Sequence, residues 1–184
     1  MLSQNLIDFY NSWTQKANQI VGDNLSHVYD KYITLFITFN NLYNQIPQEL
    51  INRGVAMPVK IYDNKAATDY VVKYLGATNI LTEFTNNNND KDINSLINII
   101  DQQLFYIKLN HGQRQRNEDL KILANLRSTN NVDKATAVLQ VAYYVRCNMF
   151  HGHKEFIEYQ RLLVEPLINI MTTVNRNIFA ELNK

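Results

Sequence analysis

Residues 24–46, NLSHVYDKYITLFITFNNLYNQI, set the fold class. Val28, Tyr32, Leu35, Phe36, Phe39, Leu42, Tyr43 and Ile46 recur at spacings of three and four, which places all of them on one side of a helix. Asp23 or Asn24 can cap this helix, and Pro47 is expected to stop it. Asn40, one turn from Phe36 and Tyr43, is read as a hydrogen-bonding residue between helices, and His27 in the first turn as facing solvent. An apolar face this wide has to be buried against other helices.

The flanking sequence supplies those helices. Residues 4–21 carry Leu6, Phe9, Trp13, Ala17 and Ile20 on one face, with Gly22 closing the helix and Trp13 read as a core anchor. Asp92 starts a helix whose stripe is Ile93, Leu96, Ile97, Ile100, Leu104 and Ile107, ending at His111-Gly112. A short helix is expected next, over Glu118–Leu126. The last helix is expected to begin near Lys154 or Glu155 and to run towards Leu182, with a kink or break at Pro166. Residues 47–90 are the least regular part. Ala56–Tyr62 reads as extended, Ala66–Leu75 and Ile80–Phe84 as short helical pieces, and Asn86–Asp90 as a polar turn or mobile loop that offers no core. The expected architecture is all-α: one domain over 1–184, a bundle of about five long helices with an insertion at 47–90.

Composition narrows the function classes. Apolar content of 46% with 19% charge is ordinary for a globular chain, and no apolar run is long enough to cross a membrane, so the expectation is a cytoplasmic protein with no membrane partner. One cysteine excludes an intrachain disulfide and a Cys-based metal cluster. A net charge of +1 argues against a general electrostatic grip on nucleic acid. The charge is unevenly spread: residues 1–103 hold 7 Lys and Arg against 10 Asp and Glu, and residues 104–184 hold 11 against 7. The basic, polar run Gln113–Asn117 in the second half is a solvated loop or a contact for a nucleic-acid backbone. No His-x3-His pair, phosphate-binding glycine loop or GxSxG elbow is present, so no metal or other cofactor is expected.

Chemistry concentrates in Tyr143-Tyr144-Val145-Arg146-Cys147-Asn148-Met149-Phe150-His151-Gly152-His153-Lys154. Ala135, Val138, Leu139, Ala142, Val145, Met149 and Phe150 form an apolar stripe, and Arg146 falls inside it. A guanidinium cannot shed its proton, so one turned towards a core needs an anion: either an internal carboxylate or a phosphate. Gly152 favours the helix ending just after His151, which frees the imidazole to swing towards Arg146.

Arg146-x4-His151, with Asn148 between and Gly152-x-Lys154 behind, at the end of an apolar helix, resembles the HEPN superfamily. Cys147 stands where members often carry a polar residue. The resemblance covers the helical frame loosely over 3–46 and 91–182. It implies a helical bundle, often a homodimer, acting as a metal-independent endoribonuclease of the toxin or defence kind. Arg146 and His151 would then be catalytic, and Asn148, His153 and Lys154 would bind phosphate or ribose. RNA would be the substrate, with an antitoxin or nucleotidyltransferase-type protein as partner. The other functional class left open is a HEPN-like module that binds nucleotide or RNA without cutting it.

Overall fold

The computed structural model describes residues 2–150 and 157–184. The described chain is all-α with one two-residue β-hairpin. Helix α1 spans Gln4–Gln19, where the Ser3 hydroxyl accepts from the Leu6 N–H at 3.3 Å. Helix α2 spans Leu25–Tyr43, capped by the Asn24 side chain, which accepts from the His27 N–H at 2.9 Å. Tyr32, Phe39, Leu42 and Tyr43 are each 0% exposed, so α2 lies at the centre of the bundle. It packs most extensively against α10 (Arg161–Leu182) and then against α1. Asn175 on α10 donates to the Leu35 carbonyl at 2.8 Å, and the rings of Tyr10 and Phe179 stack at 3.7 Å to fasten α1 onto α10.

The second central element is α9, Asn131–Phe150. Its burial is wider than a stripe: Ala135, Ala137, Val138, Leu139, Val141 and Ala142 are all 0% exposed. Small side chains at three of those positions let neighbours approach from several sides. The Tyr32 hydroxyl crosses from α2 to donate to the Ala142 carbonyl at 2.6 Å.

Residues 47–90 are the less regular part that was expected, short helical pieces joined by turns, and their apolar side chains join the same core. Pro47 does not stop α2, which ends at Tyr43; it sits in the first turn of α3 (Ile46–Asn52), where its missing N–H costs nothing. A short α4 (Asp63–Lys65) leads into a π-helical turn (Ala66–Tyr70) and α5 (Val71–Leu75). Gly76, at φ 82°, turns the corner into α6 (Ala77–Asn86). Ile46, Leu50, Ala67, Val71, Ile80 and Phe84 all join one apolar cluster with α2 and α9. Ala56–Tyr62 forms no strand.

The asparagine run is also partly interior. Asn89 is 2% exposed, accepts from the Thr173 hydroxyl at 2.7 Å and donates to Asp92 at 2.9 Å, while Asn169 donates to the other Asp92 oxygen at 3.0 Å. This network satisfies a buried carboxylate between α10 and α7 (Asp90–Asp101).

Helix α7 stops six residues short of Ile107. Beyond Ile107 the chain makes an antiparallel hairpin, β1 (Leu109–Asn110) with β2 (Gln113–Arg114), Leu109 facing Arg114. His111 and Gly112, expected at a helix end, form the turn instead, with φ of 47° and 76°. Two successive positive-φ residues give the primed turn that matches strand twist. Helix α8 (Arg116–Leu126) then packs on α9. Before α10, Glu158–Gln160 form a 3-10 turn, and α10 continues unbroken through Pro166. The carbonyl this proline leaves without its usual donor, that of Leu162, belongs to a residue that is 49% exposed, where water can serve it. The expected start of the last helix at Lys154 or Glu155 lies outside the described residues.

Two smaller expectations change. His27 is half-buried, its ring packed so closely on Gly22 that a Cβ there would sit 2.3 Å from Nδ1. Trp13 is half-buried at the edge, stacked on Phe9 at 5.6 Å with the Lys16 ammonium 4.6 Å from its ring. Among the described residues, no helix is long and apolar enough to cross a membrane.

Candidate functional site

Arg146 sits on the last turns of α9, half-buried. Its guanidinium carbon lies 5.1 Å from the centroid of the Phe36 ring on α2, and Nη1 lies 4.0 Å from the Cys147 sulfur. The negative face of the aromatic ring attracts the cation while leaving its charge in place.

Around it is a phenol–carboxylate cluster that spacing alone does not reveal. Asp63, the first residue of α4, accepts from the Tyr43 hydroxyl at 2.7 Å through one oxygen and from the Tyr143 hydroxyl at 2.8 Å through the other. The Tyr43 hydroxyl is also hydrogen-bonded to Asn40. Asn40 is thus satisfied inside the cluster, by a residue of its own helix rather than by the bond between helices that was expected. Tyr143 precedes Arg146 by one helical turn, so the two share a face of α9. Tyr143 and Arg146 are half-buried and Asp63 is exposed, so this cluster opens at the surface.

Burial pushes the Tyr32 and Tyr43 phenols well above the ordinary tyrosine range. For Tyr43 the Asp63 carboxylate adds to that push, and for both phenols the Arg146 charge opposes it. Tyr143 is raised by burial first and by Asp63 next. A phenol whose folded pKa is raised leaves stability untouched below about pH 10. It removes stability as pH climbs past 10 towards the folded value, because only the unfolded chain releases its proton there. Tyr32 and Tyr43, both 0% exposed, should each steepen alkaline unfolding by up to about 1.4 kcal/mol per pH unit. Phenolate absorbance at 295 nm, followed with far-UV circular dichroism, checks this: the buried phenols should ionise only as helix is lost. A smooth titration of all 11 tyrosines near pH 10 with helix intact would contradict it.

Of the other sequence-derived site residues, Asn148 needs correcting. It is 4% exposed, and its amide nitrogen donates to the Ile107 carbonyl at 2.8 Å. That nitrogen points into the packing between α9 and the hairpin strand, so the residue fixes structure and is not placed to bind phosphate or ribose. His151, His153 and Lys154 lie outside the described residues.

The same Ile107 peptide is held from its other side by a residue the sequence did not single out. Asp119 on α8, 0% exposed, accepts from the Ile107 N–H at 3.2 Å and the Lys108 N–H at 2.8 Å. The hairpin is thereby bolted to α8 and α9, through an Asn148 that lies two residues from Arg146 and so on the opposite side of α9. Among the described residues, no group of three or more His, Cys, Asp and Glu side chains is arranged to hold a metal ion.

Fold and cluster together define an all-α protein with a cation set among phenols at the end of a central helix. Comparison with protein-family models, with curated proteins and with solved structures found no match.

Proposed function

We propose that this protein is a metal-independent endoribonuclease of HEPN type, a toxin or defence effector that cleaves RNA by attack of a ribose 2′-hydroxyl on the adjacent phosphate. The reading rests on one observation above others: Arg146 lies half-buried on the inward side of α9, against Phe36 and beside the Tyr43–Asp63–Tyr143 cluster, five residues before His151. In a partly desolvated setting a planar guanidinium stabilises the negative charge of a crowded phosphorane far better than in water. His151 takes the 2′-hydroxyl proton, imidazole being the side chain suited to proton transfer near neutrality. The leaving 5′-oxygen needs a proton in return, which a second copy of the motif would supply in a homodimer. His153 and Lys154 are assigned to the phosphate path on this reading. The protein would act in the cytoplasm, held in check by an antitoxin or nucleotidyltransferase-type partner.

The non-cleaving alternative, a HEPN-like module that only binds nucleotide or RNA, is favoured by one feature. Asp63 is a carboxylate in the same cluster as Arg146 and would repel an incoming phosphate.

The chemistry separates the two. In EDTA, the protein should cut single-stranded RNA to fragments ending in a 2′,3′-cyclic phosphate. A substrate carrying one 2′-deoxyribose at the cleaved position should remain whole there. Cutting at the deoxy-substituted position, or no cleavage of RNA at all, would remove the proposal.

A further inference from the structure

Cations and aromatic rings alternate along the hairpin and the outer side of α9. The Lys108 ammonium lies 3.9 Å from the centroid of the Tyr144 ring, and the Arg114 guanidinium 4.3 Å from that of Tyr106. Tyr144 meets Tyr143 edge to face at 5.8 Å, and Tyr143 in turn is the phenol one turn before Arg146. His111 stands exposed at the hairpin tip. Neither Lys108 nor Arg114 forms an ion pair with a described carboxylate. The acidic groups nearby are committed elsewhere: Glu118 to Lys121 at 2.7 Å, Asp119 to two backbone N–H groups, and Asp63 to two phenols. Lys65 is held by Asp69 at 2.5 Å.

We infer that the 106–114 hairpin, with Tyr143 and Tyr144, is a docking surface for the backbone and bases of single-stranded RNA, leading the strand towards Arg146. This deepens the ribonuclease reading and rests on it for the identity of the strand's destination. A cation lying on a ring loses less freedom when it meets a phosphate than one waving in solvent, and the guanidinium keeps its N–H edges free to point at phosphate oxygens. Rings at this spacing also offer stacking to unpaired bases, which a duplex does not present. The surface is firm because its root is clamped: Asn148 holds the Ile107 carbonyl and Asp119 the Ile107 and Lys108 N–H groups. The overall charge of +1 need not forbid binding when two cations outside ion-pair distance of any described carboxylate, Lys108 and Arg114, stand on one edge, although Lys108 shares the field of Glu118.

The test is fluorescence anisotropy of the full-length protein with a fluorescein-labelled single-stranded RNA in EDTA, on an Arg146→Ala background so that the probe stays whole. Adding Lys108→Gln and Arg114→Gln, which keep the aliphatic stems over the rings, should weaken binding at least about tenfold. The slope of log Kd against log salt should fall by about 1.4, the value for two phosphate contacts on a single strand. Adding Tyr106→Leu and Tyr144→Leu instead should weaken binding several-fold with the slope nearly kept. Unchanged affinity and slope in the glutamine variant, with an unchanged melting curve, would overturn the inference. So would equal affinity for polyglutamate, which would mark the patch as one for acidic protein. The ribonuclease reading fails separately. If the otherwise native protein leaves RNA whole while the glutamine pair loses binding, the surface stands and the enzyme does not. If it cuts RNA and the glutamine pair cuts with the same KM, the enzyme stands and the surface does not.

Discussion

Asp119→Ala should lower the stability of the protein by about 3 kcal/mol, a larger loss than most single substitutions cause. The carboxylate is fully buried and receives the Ile107 and Lys108 N–H groups. Removing it strands two donors away from water, at about 1–3 kcal/mol each, and leaves a void where the carboxyl stood. The loss is kept from doubling by relaxation of the half-buried Lys108 end, where water can enter. Asp119→Asn keeps one acceptor oxygen and should cost about half as much. Urea denaturation, read as a shifted midpoint at constant slope, measures both. The same variants should loosen the hairpin and so weaken RNA binding beyond what the global stability change explains. A cost below about 1 kcal/mol for the alanine variant would mean that the clamp holds nothing.

The long helices were legible because their signal is local. The spacing of Tyr32, Phe36, Phe39 and Tyr43 settles which side of α2 is buried whatever packs on it, and Asn24 caps it as its side chain allows. The hairpin was not legible, since a two-residue strand has no period to detect and the helical spacing of Ile100, Leu104 and Ile107 runs on by coincidence. Leu104 is in fact 38% exposed, and Ile107 reaches the core along a different path. Pro47 carried two meanings, an end and a beginning, and only the neighbouring helix decides between them. Asn89 looked like loop because its partners Asp92 and Thr173 could not be known to converge on it.

The candidate site divides along the same line. That Arg146 turns inward could be read from its place in the α9 stripe, and Tyr143 beside it is a matter of one helical turn. Asp63, 80 residues from the Tyr143 it binds, could not be reached by any spacing rule. Nothing in the spacing singled out Asp119, and Asn148 read as a polar residue in a motif, until the fold brought the Ile107 peptide between them.

The second large effect concerns Arg146. Arg146→Ala should reduce the cleavage rate by about 10²–10³, the range for deleting one preorganised group that stabilises transition-state charge. Arg146→Lys should recover only part, since an ammonium keeps the charge but lacks the two-pronged geometry. His151→Ala should lose about 10²–10⁴, as befits a general base. The losses should not add in the double variant if the two groups serve one transition state. Packing is the rival account, because the guanidinium rests on Phe36. If Arg146 only braces the bundle, alanine there lowers the melting temperature and no activity depends on it.

The decisive measurement is the rate of single-stranded RNA cleavage in EDTA for the unaltered protein beside Arg146→Ala and His151→Ala, each shown by circular dichroism to be folded. The account predicts cleavage by the first and a loss of at least about a hundredfold in both variants. Equal rates in all three, or none in the unaltered protein, would contradict it.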